Sequence, residues 1–171
     1  MSSETDSNPE RPSRKDIEIT VDGETVATDI ETRLKLSDFL RQEGYKSVRV
    51  GCEHGSCGAC TVLVDGELTK SCLSYAVQAD GSEIETAEGL ATDGDLHPIQ
   101  EAFHKKGALQ CGFCTSGFVV ATKALLEEKS DPDDEDIERA LRGNLCRCTG
   151  YESIYRAVHE AAENIERDRP C

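Results

Sequence analysis

Eight of the nine cysteines in this 171-residue chain fall into two tight groups, and that grouping limits what the chain can fold around. The first group is Cys52-x4-Cys57-x2-Cys60, followed after eleven intervening residues by Cys72. The second is Cys111-x2-Cys114, completed by Cys146-x-Cys148. The ninth, Cys171, stands at the C-terminus and is read as a free, exposed thiol without function. Nine in 171 is below the density of a disulfide scaffold. Residues 1–15 (MSSETDSNPERPSRK) contain neither the apolar run nor the Arg-Arg pair of an export signal. A cytoplasmic setting is therefore expected, in which clustered thiols bind metal rather than each other.

The first spacing is that of plant-type [2Fe–2S] ferredoxins. Each iron of such a cluster takes two bridging sulfides and two protein sulfurs, so four thiolates suffice, three of them on one wrapped loop. Gly51, Gly55 and Gly58 let that loop turn tightly and bring N–H groups to the sulfurs. The alternative is a four-thiolate zinc site, but zinc prefers paired C-x2-C knuckles and only Cys57 and Cys60 form one. For the second group the spacing alone leaves zinc and [2Fe–2S] both open and leans to zinc. Cys111 and Cys114 are expected on one face at the opening of a helix, whose free N–H groups favour an anion. Cys146 and Cys148 fall in a loop between Gly143 and Gly150.

Composition narrows the class further. The chain carries 34 acidic and 19 basic residues, a formal charge of −15, which would repel a phosphate backbone, so nucleic acid is not expected as a partner. The excess is spread: residues 16–92 hold 15 acids against 6 bases, net −9, and residues 93–165 hold 14 against 8, net −6. With acids everywhere and only 8 Lys, an acidic surface suited to high salt is preferred to a single patch for a basic partner. Stability and solubility across a salt series test that preference, and indifference to salt would refute it. The longest apolar run is the four residues Phe118 to Ala121, too short to insert in a membrane.

The hydrophobic pattern predicts an α+β chain with a change of period near its middle. Residues 1–15 are expected to form a disordered tail. Strands are predicted at Asp16–Thr20 and from Thr25, joined by Asp22-Gly23; at Ser47–Val50; at Thr61–Val64 and Glu67–Lys70, joined by Asp65-Gly66; and at Glu83–Thr86. One helix is predicted at Leu36–Glu43, with Gly44 just past its end. After a linker from Glu88 to Asp95, four short helices are predicted within residues 93–165: after His97-Pro98, at Phe118–Leu126, after Asp131-Pro132, and at Ile154–Ile165. Residues 166–171 are read as a second tail.

Several longer motifs then stand together: Gly51-Cys-Glu-His-Gly-Ser-Cys-Gly-Ala-Cys60, Ser71-Cys-Leu73, Glu88-Gly-Leu90, Leu96-His-Pro98, Gln110-Cys-Gly-Phe-Cys-Thr115 and Gly143-Asn-Leu-Cys-Arg-Cys-Thr-Gly-Tyr151. With them the chain closely resembles the small iron–sulfur subunit of the molybdenum hydroxylases, the family of xanthine dehydrogenase, aldehyde oxidoreductase and aerobic carbon monoxide dehydrogenase. The resemblance covers residues 16–162. Ser116 departs from it, standing where the family usually has Pro. It implies an N-terminal β-grasp, plant-type ferredoxin domain (residues 16–92) with a [2Fe–2S] cluster on Cys52, Cys57, Cys60 and Cys72. It also implies a C-terminal four-helix domain (residues 93–165) with a second [2Fe–2S] cluster on Cys111, Cys114, Cys146 and Cys148, reversing the lean toward zinc. Gln110 and Cys148 match positions that contact the pterin of a molybdenum cofactor held by a large subunit. The implied partners are that large subunit and a medium subunit carrying FAD.

The function so implied is electron relay within an oxidoreductase complex, with no substrate chemistry on this chain. Nothing in the sequence competes as a catalytic constellation. His54 could be a ligand in a Rieske-like site, but four Cys are already present. His97, His104 and His159 are scattered over predicted helices as surface or capping residues. Arg147 suits a surface role as well as a cluster contact. From other classes, a free-standing ferredoxin with a structural zinc module and a zinc-bound regulatory protein remain the alternatives. An apolar face around Gln110 and Cys148 would favour the subunit. The substrate of the complex is not written in this chain.

Overall fold

Two Asp-Gly turns set the register of the sheet. Asp22 and Gly23 (φ 50° and 83°) and Asp65 and Gly66 (φ 50° and 82°) all take left-handed backbone, as the tight hairpin turn matched to strand twist demands. In the computed structural model, which describes residues 13–92 and 94–168, they close β1 (Arg14–Val21) onto β2 (Glu24–Glu31) and β3 (Thr61–Val64) onto β4 (Glu67–Lys70). With β5 (Glu83–Glu85) they form a five-stranded sheet in the order β2-β1-β5-β3-β4, in which only β1 and β5 run parallel. Helix α1 (Leu36–Gln42) covers one face. Period-two alternation along β1 turns Ile17, Ile19 and Val21 inward, where they pack in one core with Leu36, Phe39, Leu40, Val62 and Ile84.

Strand β3 serves two cores. Val62 belongs to the sheet core and its neighbour Leu63, on the opposite face, to the core of the helical half. That second core gathers Phe103, Phe118, Ile137, Ile154 and Val158 from α2 (Pro98–Lys105), α3 (Thr115–Glu128), α4 (Asp134–Leu141) and α5 (Glu152–Asp168). The helix starts follow local chemistry. His97 Nδ1 accepts the Ile99 N–H (3.3 Å) ahead of Pro98, and Asp133 Oδ1 accepts the Asp136 N–H (2.9 Å). Ala87, just before the linker, and Leu90, within it, also pack into the helical core, so the two halves share a continuous interface.

Four local expectations are corrected. Arg14 and Lys15, expected in the tail, open β1, because Arg14 pairs with Glu31 across the hairpin and donates to the Asp29 carbonyl at 2.8 Å; residues 1–12 of that tail lie outside the described residues. Ser47–Val50 is not a strand: its backbone groups find scattered partners rather than a ladder, with Arg41 donating to the Val48 carbonyl (2.8 Å), Glu88 accepting the Ser47 N–H (3.3 Å) and the Arg49 N–H donating to the Ala59 carbonyl (3.3 Å). A 3-10 turn at Ala76–Ala79, absent from the pattern reading, is closed by Gln78 Oε1 accepting the Tyr75 N–H at 2.9 Å. Helix α5 runs to Asp168, past the expected tail boundary at 166; Cys171 lies outside the described residues.

Candidate metal centres

The β3–β4 hairpin builds half of the first site. Its register places Thr61 opposite Lys70, which brings Cys60, just before β3, beside Cys72, just after β4. Ser71 fastens the pair, donating both its N–H (3.3 Å) and its hydroxyl (2.7 Å) to the Cys60 carbonyl. Both sulfurs are buried. Burial, and then the neighbouring Cys60, push the Cys72 thiol up to about 11. The other half is the loop between Val50 and Cys60. Glu53, Gly55 and Gly58 all take positive φ there, and the loop curls so that backbone N–H groups face inward. Those of His54 and Cys57 bring the Cys52 thiol down to about 6, and the Cys57 N–H lies 3.4 Å from Cys52 Sγ.

The second site is built from helix ends. Cys114 is the N-cap residue of α3, but Cys111 is not on that helix. Gly112, at φ 75°, breaks the backbone between them, so the expected shared helical face is replaced by a loop that bends back. The loop between α4 and α5 supplies the partners. Cys148 Sγ lies 3.6 Å from Cys111 Sγ, and Cys146 is in side-chain contact with Cys114. Burial, and then Cys146, push the Cys114 thiol up to about 12. Burial also opposes ionisation of Cys146, but the Thr149 hydroxyl (3.1 Å) and N–H (3.5 Å) donate to its sulfur and bring it below the ordinary thiol range. A bound metal would deprotonate all of these thiols, whatever their order when free.

The sulfurs therefore come in twos: Cys52 with Cys57, Cys60 with Cys72, Cys111 with Cys148, and Cys114 with Cys146. Around one zinc ion all four would stand about 3.7 Å apart, given a metal–sulfur bond of about 2.3 Å and tetrahedral geometry. Among the described residues no three metal-binding side chains converge on a single point. Two irons taking two thiolates each need such pairs, so the residues present fit a [2Fe–2S] cluster at each site.

The two sites touch through their cysteine-bearing loops. The Leu145 N–H donates to the Cys57 carbonyl (2.9 Å) and buried Asn144 Nδ2 donates to the Gly58 carbonyl (3.1 Å). Arg49 donates to the Gly112 carbonyl (2.8 Å), with its guanidinium 5.8 Å from the centre of the Phe113 ring. Gly58 must be glycine: a Cβ there would stand 2.4 Å from the Gly143 carbonyl oxygen, on a backbone at φ 72°. Sequence reasoning missed Arg49, Asn144 and Tyr151 as site residues. Tyr151, at φ 71°, accepts the Cys146 N–H on its phenol oxygen (3.0 Å) and packs edge-on against Phe118. Its place in the Cys-Thr-Gly-Tyr run was the available signal.

Cys111, Cys148 and Gln110 are all exposed, and Leu109, Phe113 and Leu145 (39, 44 and 53 % exposed) flank them along the chain. The surface there is apolar as well as polar. Three histidine side chains have partners other than sulfur: His54 bonds Ser56, His97 caps α2, and His159 meets Asp134.

Comparison with known proteins agrees with this pairing of sites. Residues 19–91 match the model of the 2Fe-2S iron-sulfur cluster binding domain, and residues 86–159 that of the [2Fe-2S] binding domain. The chain is 52 % identical to the 6-hydroxypseudooxynicotine dehydrogenase complex subunit beta of Paenarthrobacter nicotinovorans, over 84 % of this chain and 91 % of that one. It is 47 % identical to the xanthine dehydrogenase iron-sulfur-binding subunit of Escherichia coli O157:H7, over 83 % and 91 %. This chain belongs to the iron–sulfur subunits of the molybdenum hydroxylases. Its fold superposes on a chain of quinoline 2-oxidoreductase from Pseudomonas putida 86 with a TM-score of 0.87 at 41 % identity, covering 92 % of this chain and 99 % of that one. It is thus a [2Fe–2S] protein of an oxidoreductase complex, with a ferredoxin-like mixed sheet joined to helices. Among the described residues no helix is long and apolar enough to cross a membrane.

Proposed function

We propose that this chain is the relay subunit of a cytoplasmic, multi-subunit molybdenum hydroxylase. In this reading single electrons pass from the molybdenum–pterin centre of a large subunit, through two [2Fe–2S] clusters, toward FAD on a medium subunit. Cys52, Cys57, Cys60 and Cys72 hold the first cluster within a β-grasp domain. Cys111, Cys114, Cys146 and Cys148 hold the second within the four-helix domain. When bound, each cluster accepts and returns one electron. The chain's own residues position the two sites and tune them, without acid–base chemistry.

The observation that carries the reading is the direct bond from the Leu145 N–H, adjacent to ligand Cys146, to the carbonyl of ligand Cys57 at 2.9 Å. Two sites that share one hydrogen bond are spaced for exchange with each other rather than for independent structural roles. The exposed side of the second site supports the direction. Gln110 and Cys148 lie open for the pterin, beside apolar Leu109, Phe113 and Leu145, which suit burial against the large subunit. A free-standing carrier would have no use for that exposed apolar set. Rapid freezing of the assembled complex after mixing with substrate tests the relay. Both cluster EPR signals are expected to rise before the flavin is reduced. Flavin reduction with both signals silent would overturn it.

A further inference from the structure

Lys70 ends β4, two residues before the ligand Cys72, and its side chain is half-buried. Its ammonium donates to Thr61 Oγ1 at 2.7 Å and lies against the second ligand loop, where a Cβ on Gly143 would be 3.3 Å from Nζ. The chain offers 34 carboxylates, yet among the described residues none forms a salt bridge with this lysine. Burying an ammonium without a counter-charge is unfavourable. The Thr61 hydroxyl that receives the ammonium follows Cys60 in the chain and itself donates to the Gly58 carbonyl (2.7 Å), between Cys57 and Cys60. The ammonium is thus held beside the segment that carries Cys57 and Cys60, two residues from Cys72, and the anion it adjoins is the first thiolate set.

We propose that Lys70 is the built-in counter-cation of the first cluster and holds its reduction potential above that of the same thiolate set without the lysine. A [2Fe–2S] group on four thiolates is a net anion and becomes more negative on reduction. A fixed cation at half-buried range favours the reduced form more than the oxidised one. The effect of Lys70 is largest at the site it adjoins. Lys70 acts as a tuning residue and is not itself a ligand. The inference rests on the assignment of the first cluster to Cys52, Cys57, Cys60 and Cys72.

The test is an EPR-monitored redox titration of the iron-loaded chain, with the first-site signal identified by its change in Cys60→Ser. Lys70→Met removes the charge and keeps the apolar stem. Lys70→Gln removes the charge and keeps a donor for Thr61. Lys70→Arg keeps the charge. The first-site midpoint is expected to fall in the Met and Gln variants, to return toward wild type in the Arg variant, and to move more than the second-site midpoint throughout. If the Met variant fails to load iron, the Gln variant decides. An unchanged first-site midpoint in Lys70→Gln, or equal shifts of both signals, would overturn the role of Lys70. A wild-type chain with only one signal would overturn the cluster assignment, and this inference with it.

Discussion

The two sites bring four sulfurs into pairs by different means. The first uses strand register: an Asp-Gly turn aligns Thr61 with Lys70, and Cys60 and Cys72 end up buried side by side. The second uses helix ends and loops, and leaves Cys111 and Cys148 exposed. Strands can enclose a site because their ladder fixes both neighbours at once. Helix ends leave free groups pointing outward. So the first site is half enclosed, with Cys60 and Cys72 buried and Cys52 and Cys57 partly exposed, and the second is the more open of the two, with Cys111 and Cys148 exposed. Within one chain, enclosure and access are assigned to different architectures.

The contrast is tested most severely at the junction. Gly58→Ala puts a Cβ against the Gly143 carbonyl and Asn144 on a left-handed backbone. It is expected to destabilise the loaded chain by about 2–4 kcal/mol, combining strain with overpacking, and to lower iron at both sites. Thermal denaturation and metal analysis read this, and retention of both clusters at wild-type stability would break the picture of a rigid shared joint. The next largest effect is a difference in rate. Chelator added to the isolated chain is expected to bleach the second site first, because two of its sulfurs are exposed, and equal bleaching of both EPR signals would erase the contrast. Asn144→Ala removes one of two side-chain donors to the Gly58 carbonyl, leaving the Thr61 hydroxyl at 2.7 Å, and is expected to cost about 0.5–1.5 kcal/mol, read by chemical denaturation.

The smallest expected effect is the acid dependence that Asp136 contributes in the helical half. Lys129, together with the Asp133 N–H, holds the Asp136 carboxyl down at about 2. A depressed carboxyl stabilises the fold above the ordinary carboxylate range, and that contribution is lost as pH falls from about 4 toward 2. Asp136→Asn is expected to flatten this part of the acid-unfolding curve, and an unaltered curve would remove Asp136 from the account.

Much of this was legible in the sequence because the signals were local. The two Asp-Gly turns, Pro98 at a helix start, and the cysteine spacings each report on neighbours a few residues away. The misreadings came where distant groups decide. Ser47–Val50 has strand-like composition, but its backbone groups are met by Arg41, by the Ala59 carbonyl and by Glu88, 41 residues from Ser47. Cys111 and Cys114 have helical spacing, but Gly112 turns the chain between them. Asn144 and Gly58 meet across 86 residues, a distance no periodicity encodes. The lean of the second group toward zinc rested on ligand spacing, which does not report how sulfurs pair in space.

We propose that each set of four cysteines holds one [2Fe–2S] cluster. The direct measurement is iron and acid-labile sulfide in the anaerobically purified chain, followed by EPR with counted spins after dithionite reduction. The expected result is about four irons, about four sulfides and two distinct S = 1/2 signals of equal intensity. A single signal with half that iron and one bound zinc would contradict it, leaving the helical half a structural zinc module and the chain a free-standing ferredoxin.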